Sequence, residues 1–243
     1  MKTVLLATAA TLALTAAAFA AGNPMLAAGG ARGAAHRAIH APPKGLTALY
    51  DQNIGDAGYG WFSQTLSSYP QYDEYLADDF VVPAGHTWKV KEVDTTGFYY
   101  QGTGGPAHSV NVLFWGDKKG LPDKGSKVAE CDDLKPKSGL DTGAFQITLP
   151  KSCKVSLDGS GKRGTRYWLT VQANMDGVNT SGYWAWMQNV NVANKQGAGY
   201  YYGGGNSVSD PQCLQQFEGI QDCWNAAGPV DLAFALLGKD KGG

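Results

Sequence analysis

The chain has 243 residues and a formal net charge of -1, from 20 Lys and Arg against 21 Asp and Glu. A balance this close to neutral argues against a nucleic-acid partner. Four Cys without a Cys-x-x-Cys spacing, and four dispersed His, argue against a Cys/His metal site.

In chain order, Lys2 precedes an uncharged run of Val, Leu, Ala and Thr that ends in Ala18-Phe19-Ala20, a small-x-small cleavage pattern. Residues 1–20 therefore read as a secretory signal peptide, and the expected location is secreted or periplasmic. The rest carries no long apolar run, so no membrane span is expected in the mature chain. Residues 21–45 are rich in Ala and Gly and end in Pro42-Pro43. They read as a flexible arm.

Residues 46–240 change texture. Short alternating runs stand between Gly, Pro, Asp and Asn clusters, which predicts one domain of about nine or ten strands packed as two antiparallel sheets. In "TWKVKEVDTTGFYY", Trp88 and Val90 are in phase, then the phase slips to Val93 and Thr95, predicting a bulge near Lys91-Glu92. In "HSVNVLFWGD", Val110, Val112 and Phe114 share one face, and Asn111, Leu113 and Trp115 the other. "DGSGKRG" lacks the spacing of a phosphate-binding loop and reads as a hairpin turn.

"TRYWLTVQANM" places Tyr167, Leu169, Val171, Ala173 and Met175 on one face and Trp168, Thr170, Gln172 and Asn174 on the other. With "GYWAWMQN" beyond a short polar spacer, it predicts a hairpin. One register sets Ala173 opposite Trp184 and Val171 opposite Trp186, burying both indoles. A one-residue slip sets Asn174 and Gln172 opposite them and, with Trp168, makes an aromatic–amide platform for a sugar. The first register is favoured because it gives Trp apolar partners. Tyr200 and Tyr201 lie among glycines in "GAGYYYGGGNS", as a ligand loop or an edge strand.

Four Cys in an exported chain predict two disulfides, and local loop closure favours Cys131–Cys153 and Cys213–Cys223. Asp78-Asp79 could supply hard oxygen ligands to a structural Ca²⁺, although no calcium-loop pattern is present. No nucleophile elbow or zinc-protease motif occurs. Glu92 and Asp94 share a strand face and are the nearest approach to a glycosidase carboxylate pair.

The set "LADDFVVPAGHTWKVKEVDTTGFYY", "SVNVLFWGDKKGLPDKG", "YWLTVQANMD", "YWAWMQN" and "GPVDLAFALLG" resembles an uncharacterised class of bacterial secreted β-sandwich domains, over about residues 46–238. The resemblance implies a jelly-roll-like sandwich and export. It carries no catalytic residues.

The function expected is a secreted, non-catalytic module binding polysaccharide or a cell-envelope surface, through Trp168, Gln172, Asn174, Tyr200 and Tyr201. A glycan hydrolase and a structural or adhesive surface protein are the alternatives.

Overall fold

The computed structural model describes residues 26–27, 42–53, 58–68, 70, 73–100, 106–176, 183–189, 191–201, 216–224, 226 and 228–242. The expected signal peptide and most of the arm lie outside these residues. Two residues of the arm, Leu26–Ala27, form a short strand, β1.

The strands follow the alternating runs. β2 is Thr47–Asp51, β3 Tyr59–Phe62, β4 Gln64–Leu66, β5 Glu74–Val82 and β6 Thr87–Thr95. β7 is Gly97–Tyr100, β8 Ser109–Lys118, β9 Leu121–Leu134, β10 Gln146–Thr148 and β11 Val155–Asp158. β12 is Thr165–Met175, β13 Tyr183–Asn189, β14 Ala198–Tyr201 and β15 Glu218–Gly219. A short helix, α1 (Ile220–Trp224), precedes β16 (Asp231–Leu232) and β17 (Phe234–Asp240).

The fold is all-β, and it departs from two plain sheets. A seven-stranded sheet runs β15-β14-β5-β4-β12-β8-β9. Its inner face shares one apolar core with two smaller sheets, built around β6–β17 and around β13. One pair, β4 with β12, is parallel rather than antiparallel.

The two smaller sheets are joined at a fork. β6 and β17 pair side by side up to Thr95 and Phe234. Beyond them the chains diverge, and both continue as partners of β13 through β7 and β16. Three peptides close the fork in a ring. Met187 N donates to Thr96 O (2.9 Å), Thr96 N to Ala233 O (3.3 Å) and Ala233 N to Met187 O (2.9 Å). Divergence costs no hydrogen bond, because each strand end finds a donor or acceptor on the third chain.

The bulge expected near Lys91-Glu92 is present. Leu237 pairs with Glu92 and Gly238 with Val90, so Lys91 is the extra residue. The two faces of β8 and β12 also separate as their alternation predicts. Val110, Val112, Phe114, Leu169, Val171 and Ala173 enter the main core, while Leu113, Trp115 and Trp168 form a second cluster on the opposite face.

The expected β12–β13 hairpin is not formed. β12 pairs with β8, β5 and β4, whereas β13 pairs with β3, β7 and β16 in the other layer. The spacer crosses between layers; most of it lies outside the described residues. "DGSGKRG" likewise makes a crossover, since β11 pairs with β6 and β12 with β5. Gly164, at φ +82°, leaves no room for a Cβ, which would meet Val82 O at 2.2 Å.

Trp184 and Trp186 are nonetheless fully buried. Their indole N–H groups donate to Gly143 O (2.9 Å) and Ala233 O (2.8 Å). The rings stack on each other, with Phe145 against Trp184. The close approach requires Gly97, where a Cβ would sit 2.6 Å from Trp184 Nε1. Cys131–Cys153 forms a disulfide with its Cα atoms 5.7 Å apart, inside the usual range. Cys223 is also disulfide-bonded, and Cys213 lies outside the described residues.

Trp186→Ala is expected to lower stability by about 3–5 kcal/mol, read from denaturant unfolding, because it empties a core site and removes one of the two donors to Ala233 O at the fork. A change within about 0.5 kcal/mol would mean the indole is not part of the core.

Candidate functional site

Trp168, Gln172, Asn174 and Tyr200, of the residues expected to meet a ligand, fall on one face, the outer face of the seven-stranded sheet, but most of that face is closed. Trp168 and Gln172 are 0% and 1% exposed, and Tyr200 is 3% exposed. Trp168 Nε1 donates to Asp117 Oδ1 (2.9 Å), and Gln172 Nε2 to Glu74 O (2.9 Å). Tyr200 lies flat on Tyr75 at 4.6 Å and meets Phe217 edge-on. Lys124 and Lys127 of β9 reach back over the rings of Tyr200 and Trp115. The alternation showed that Trp168 and Gln172 share a face; it could not show that β9 and the Phe217 segment cover it. The Tyr201 side chain lies outside the described residues.

Asn174 is different. It sits where β12 ends, in an open cleft of about 360 Å³. A bulge in β9 builds the opposite wall. Val110 pairs with Leu134 and Val112 with Cys131, so Asp132 and Asp133 together face Asn111. Asp133 takes the left-handed conformation (φ +53°), which Asp tolerates better than most residues.

The floor is a locked amide pair. Asn111 Nδ2 donates to Asn174 Oδ1 (3.0 Å), and Asn174 Nδ2 donates back to Asn111 Oδ1 (2.9 Å). Thr65 Oγ1 donates to Asn174 Oδ1 (2.6 Å), Asn174 Nδ2 to Ser109 Oγ (2.7 Å), and Ser109 Oγ to Asp133 Oδ1 (3.1 Å). His108 and Asp176 pair across the rim at 2.7 Å, both 58% exposed. The amides spend their capacity on each other. The exposed acidic groups, Asp132 foremost, are what the cleft offers outward. Partial burial pushes the Asp132 carboxyl up, and Glu130 and Asp133 push it further against Lys127. Sequence reasoning found Asn174 and missed Asp132, Asp133, Ser109 and His108. "CDDL" facing a regular strand was the available signal of a bulge.

The expected Asp78–Asp79 cation site is not built. Neighbours on a strand point to opposite faces. Asp78 points into the core, where Oδ2 accepts from Gln52 Nε2 (2.7 Å) and Leu232 N (2.5 Å) and Oδ1 from Asp79 N (2.8 Å). Asp79 points outward, paired with Arg166 and accepting from Lys195 N (3.1 Å). Among the described residues, no group of three or more His, Cys, Asp or Glu converges on a common metal position.

Glu92 and Asp94 do share a face of β6, but they are 2% and 4% exposed. Glu92 accepts from Gln146 Nε2 (3.0 Å) and Thr148 Oγ1 (3.4 Å). Burial, then the neighbouring Glu92 and Asp51, push Asp94 up to about 7 against the pull of Lys137.

Compared with protein-family models and with curated proteins, the chain matches none of either.

Three carboxyls should make stability fall as pH rises. Burial holds Asp73 at about 6, and Asp94 and Asp231 at about 7. Each binds its proton more tightly folded than unfolded, so their stabilisation is full below about pH 4 and is lost as pH climbs through 7. The melting temperature is expected to be higher at pH 5 than at pH 8; the reverse order would show that these groups do not govern the pH dependence.

Proposed function

We propose that the protein is an exported, non-catalytic binding module on a jelly-roll-like sandwich, and that its ligand is a glycan of a polysaccharide or cell-envelope surface held at the Asn174 cleft. The observation that carries this reading is the cleft itself. It is concave, it stands on a paired sheet rather than a loop, and its outward groups are hydrogen-bond acceptors that suit a ligand rich in hydroxyl donors. The Cys131–Cys153 bond suits an oxidising compartment and so supports export.

The reading moves recognition away from aromatic stacking. Trp168, Gln172 and Tyr200 support the sheet beneath the site rather than touch the sugar. A second reading, glycan hydrolysis, draws on one observation. Asp94, near 7, has the proton affinity of a general acid beside a second carboxylate. Its burial at 4% exposure leaves a substrate no approach without rearrangement.

The test is depletion of purified protein by insoluble cellulose, chitin and peptidoglycan. Retention on one of them is expected, with Asp132→Asn reducing it at least about tenfold while the melting temperature stays unchanged, since Asp132 is exposed. Trp168→Ala should instead lower stability by about 3–5 kcal/mol. Retention on none of the three would overturn the glycan reading in favour of a structural or adhesive role. Release of reducing ends would favour the hydrolase.

A further inference from the structure

Asp78 is one of two carboxylates buried at the same place between the layers. Asp231, on β16, is also 0% exposed, and its charge acts directly on Asp78. Its Oδ2 accepts from Ala193 N (2.5 Å), while Oδ1 has no hydrogen-bond partner among the described residues. Around the pair lies a polar island. Tyr50 Oη donates to Gln52 Oε1 (2.6 Å), Gln52 Nε2 donates to Asp78 and also to Leu232 O (2.9 Å), and Asn194 Nδ2 donates to Tyr50 Oη (3.1 Å). The groups of the island that bear or can gain charge are Tyr50 from β2, Asp78 and Asp79 from β5, Asp231 from β16 and Arg166 from β12. Arg166 is already drawn to Asp79, with Asp117 3.8 Å from its Nε.

The island holds one segment in particular. Residues 191–197 join β13 to β14, and three consecutive residues are tethered. Ala193 N is held by Asp231, the Asn194 side chain by Tyr50, and Lys195 N by Asp79. Asn194 itself is left-handed (φ +61°), so the segment is bent over these anchors.

We propose that Asp78 and Asp231 form a proton-closed latch, in which protonation of the pair keeps the 191–197 segment and the start of β14 docked, and loss of the Asp231 proton releases them. Two adjacent buried carboxylates cannot both ionise without a counter-charge. Asp231 Oδ1, with no hydrogen-bond partner among the described residues, is open to a proton. With both carboxyls protonated, the pair brings no charge into the core, and the donors from Gln52, Leu232, Asp79 and Ala193 meet their oxygens. When Asp231 ionises, an uncompensated charge is left in the core, and the segment tethered through Ala193 is the part that can move out and admit water. Burial is the first cause that holds both groups above the ordinary carboxylate value, and the Asp231 charge raises Asp78 further. The latch is therefore closed in acidic surroundings and loosens as pH rises through about 7.

Amide hydrogen exchange of the intact chain tests this, with protection factors corrected for the intrinsic rate, from pH 5.5 to 8.5. In the wild type, protection at Ala193 should fall by about tenfold or more across this range. In Asp231→Asn, which keeps an oxygen for Ala193 N but cannot ionise, it should stay flat. A flat wild-type profile, or an Asp231→Asn profile as steep as the wild type, would overturn the latch. Should Asp231→Asn fail to fold, carbon-13 carboxyl titration of the wild type decides. Two steps, both above the ordinary Asp range, support the latch; two independent steps near 4 overturn it.

Discussion

A ring of three peptide hydrogen bonds, among Thr96, Met187 and Ala233, is what allows this architecture to close. A strand pair that splits would leave two bare edges in the interior, and buried unpaired backbone is costly. Laying β13 across the split removes both edges at once. It also fixes where Trp184 and Trp186 must point, because Met187 is committed to the fork and alternation then turns the two indoles inward. Gly97, with no side chain, and Phe145, a flat one, complete the fit. The fork therefore sets the backbone path of one layer and the packing of the core against it.

The seven-stranded sheet answers with a different device. It is apolar on both faces along much of β8 and β12, so it supports two clusters rather than one. The second cluster is closed by the long β9 and by the Phe217 segment, and among the described residues the end of the sheet near Asn174 stays open. The candidate site is thus what remains of an outer face after its own chain has covered the rest. This is why its groups are polar: a face end that meets water must satisfy its amides locally, and Asn111 with Asn174 does so.

Local pattern was legible where neighbours along the chain decide the outcome. The phase slip from Val90 to Val93 gave the bulge, and the alternation of Val110 to Trp115 gave both faces of β8. What partners a strand was not legible. Alternation sets Trp184 and Trp186 on one face, and their apolar bulk favours the core; the hairpin register used to place them there does not exist, because pairing depends on a crossover. Asp78 and Asp79 illustrate the limit in another way. Their adjacency suggested a shared ligand, while strand geometry drives them to opposite faces and into unrelated bonds. The cleft depends on Asp132 and Asp133 facing a single residue, a register property that no local composition encodes.

The disulfide and the buried carboxylates sit at opposite sides of the same sheet. Cys131 belongs to β9, one margin of the seven strands, and it is bonded covalently to the segment that precedes β11 in the facing layer. Asp78 belongs to β5, toward the other margin, where hydrogen bonds to Gln52 and Leu232 tie it to the facing layer beside the apolar core. The sandwich is built like a bound book, with a sewn spine along β9 and a clasp beside β14.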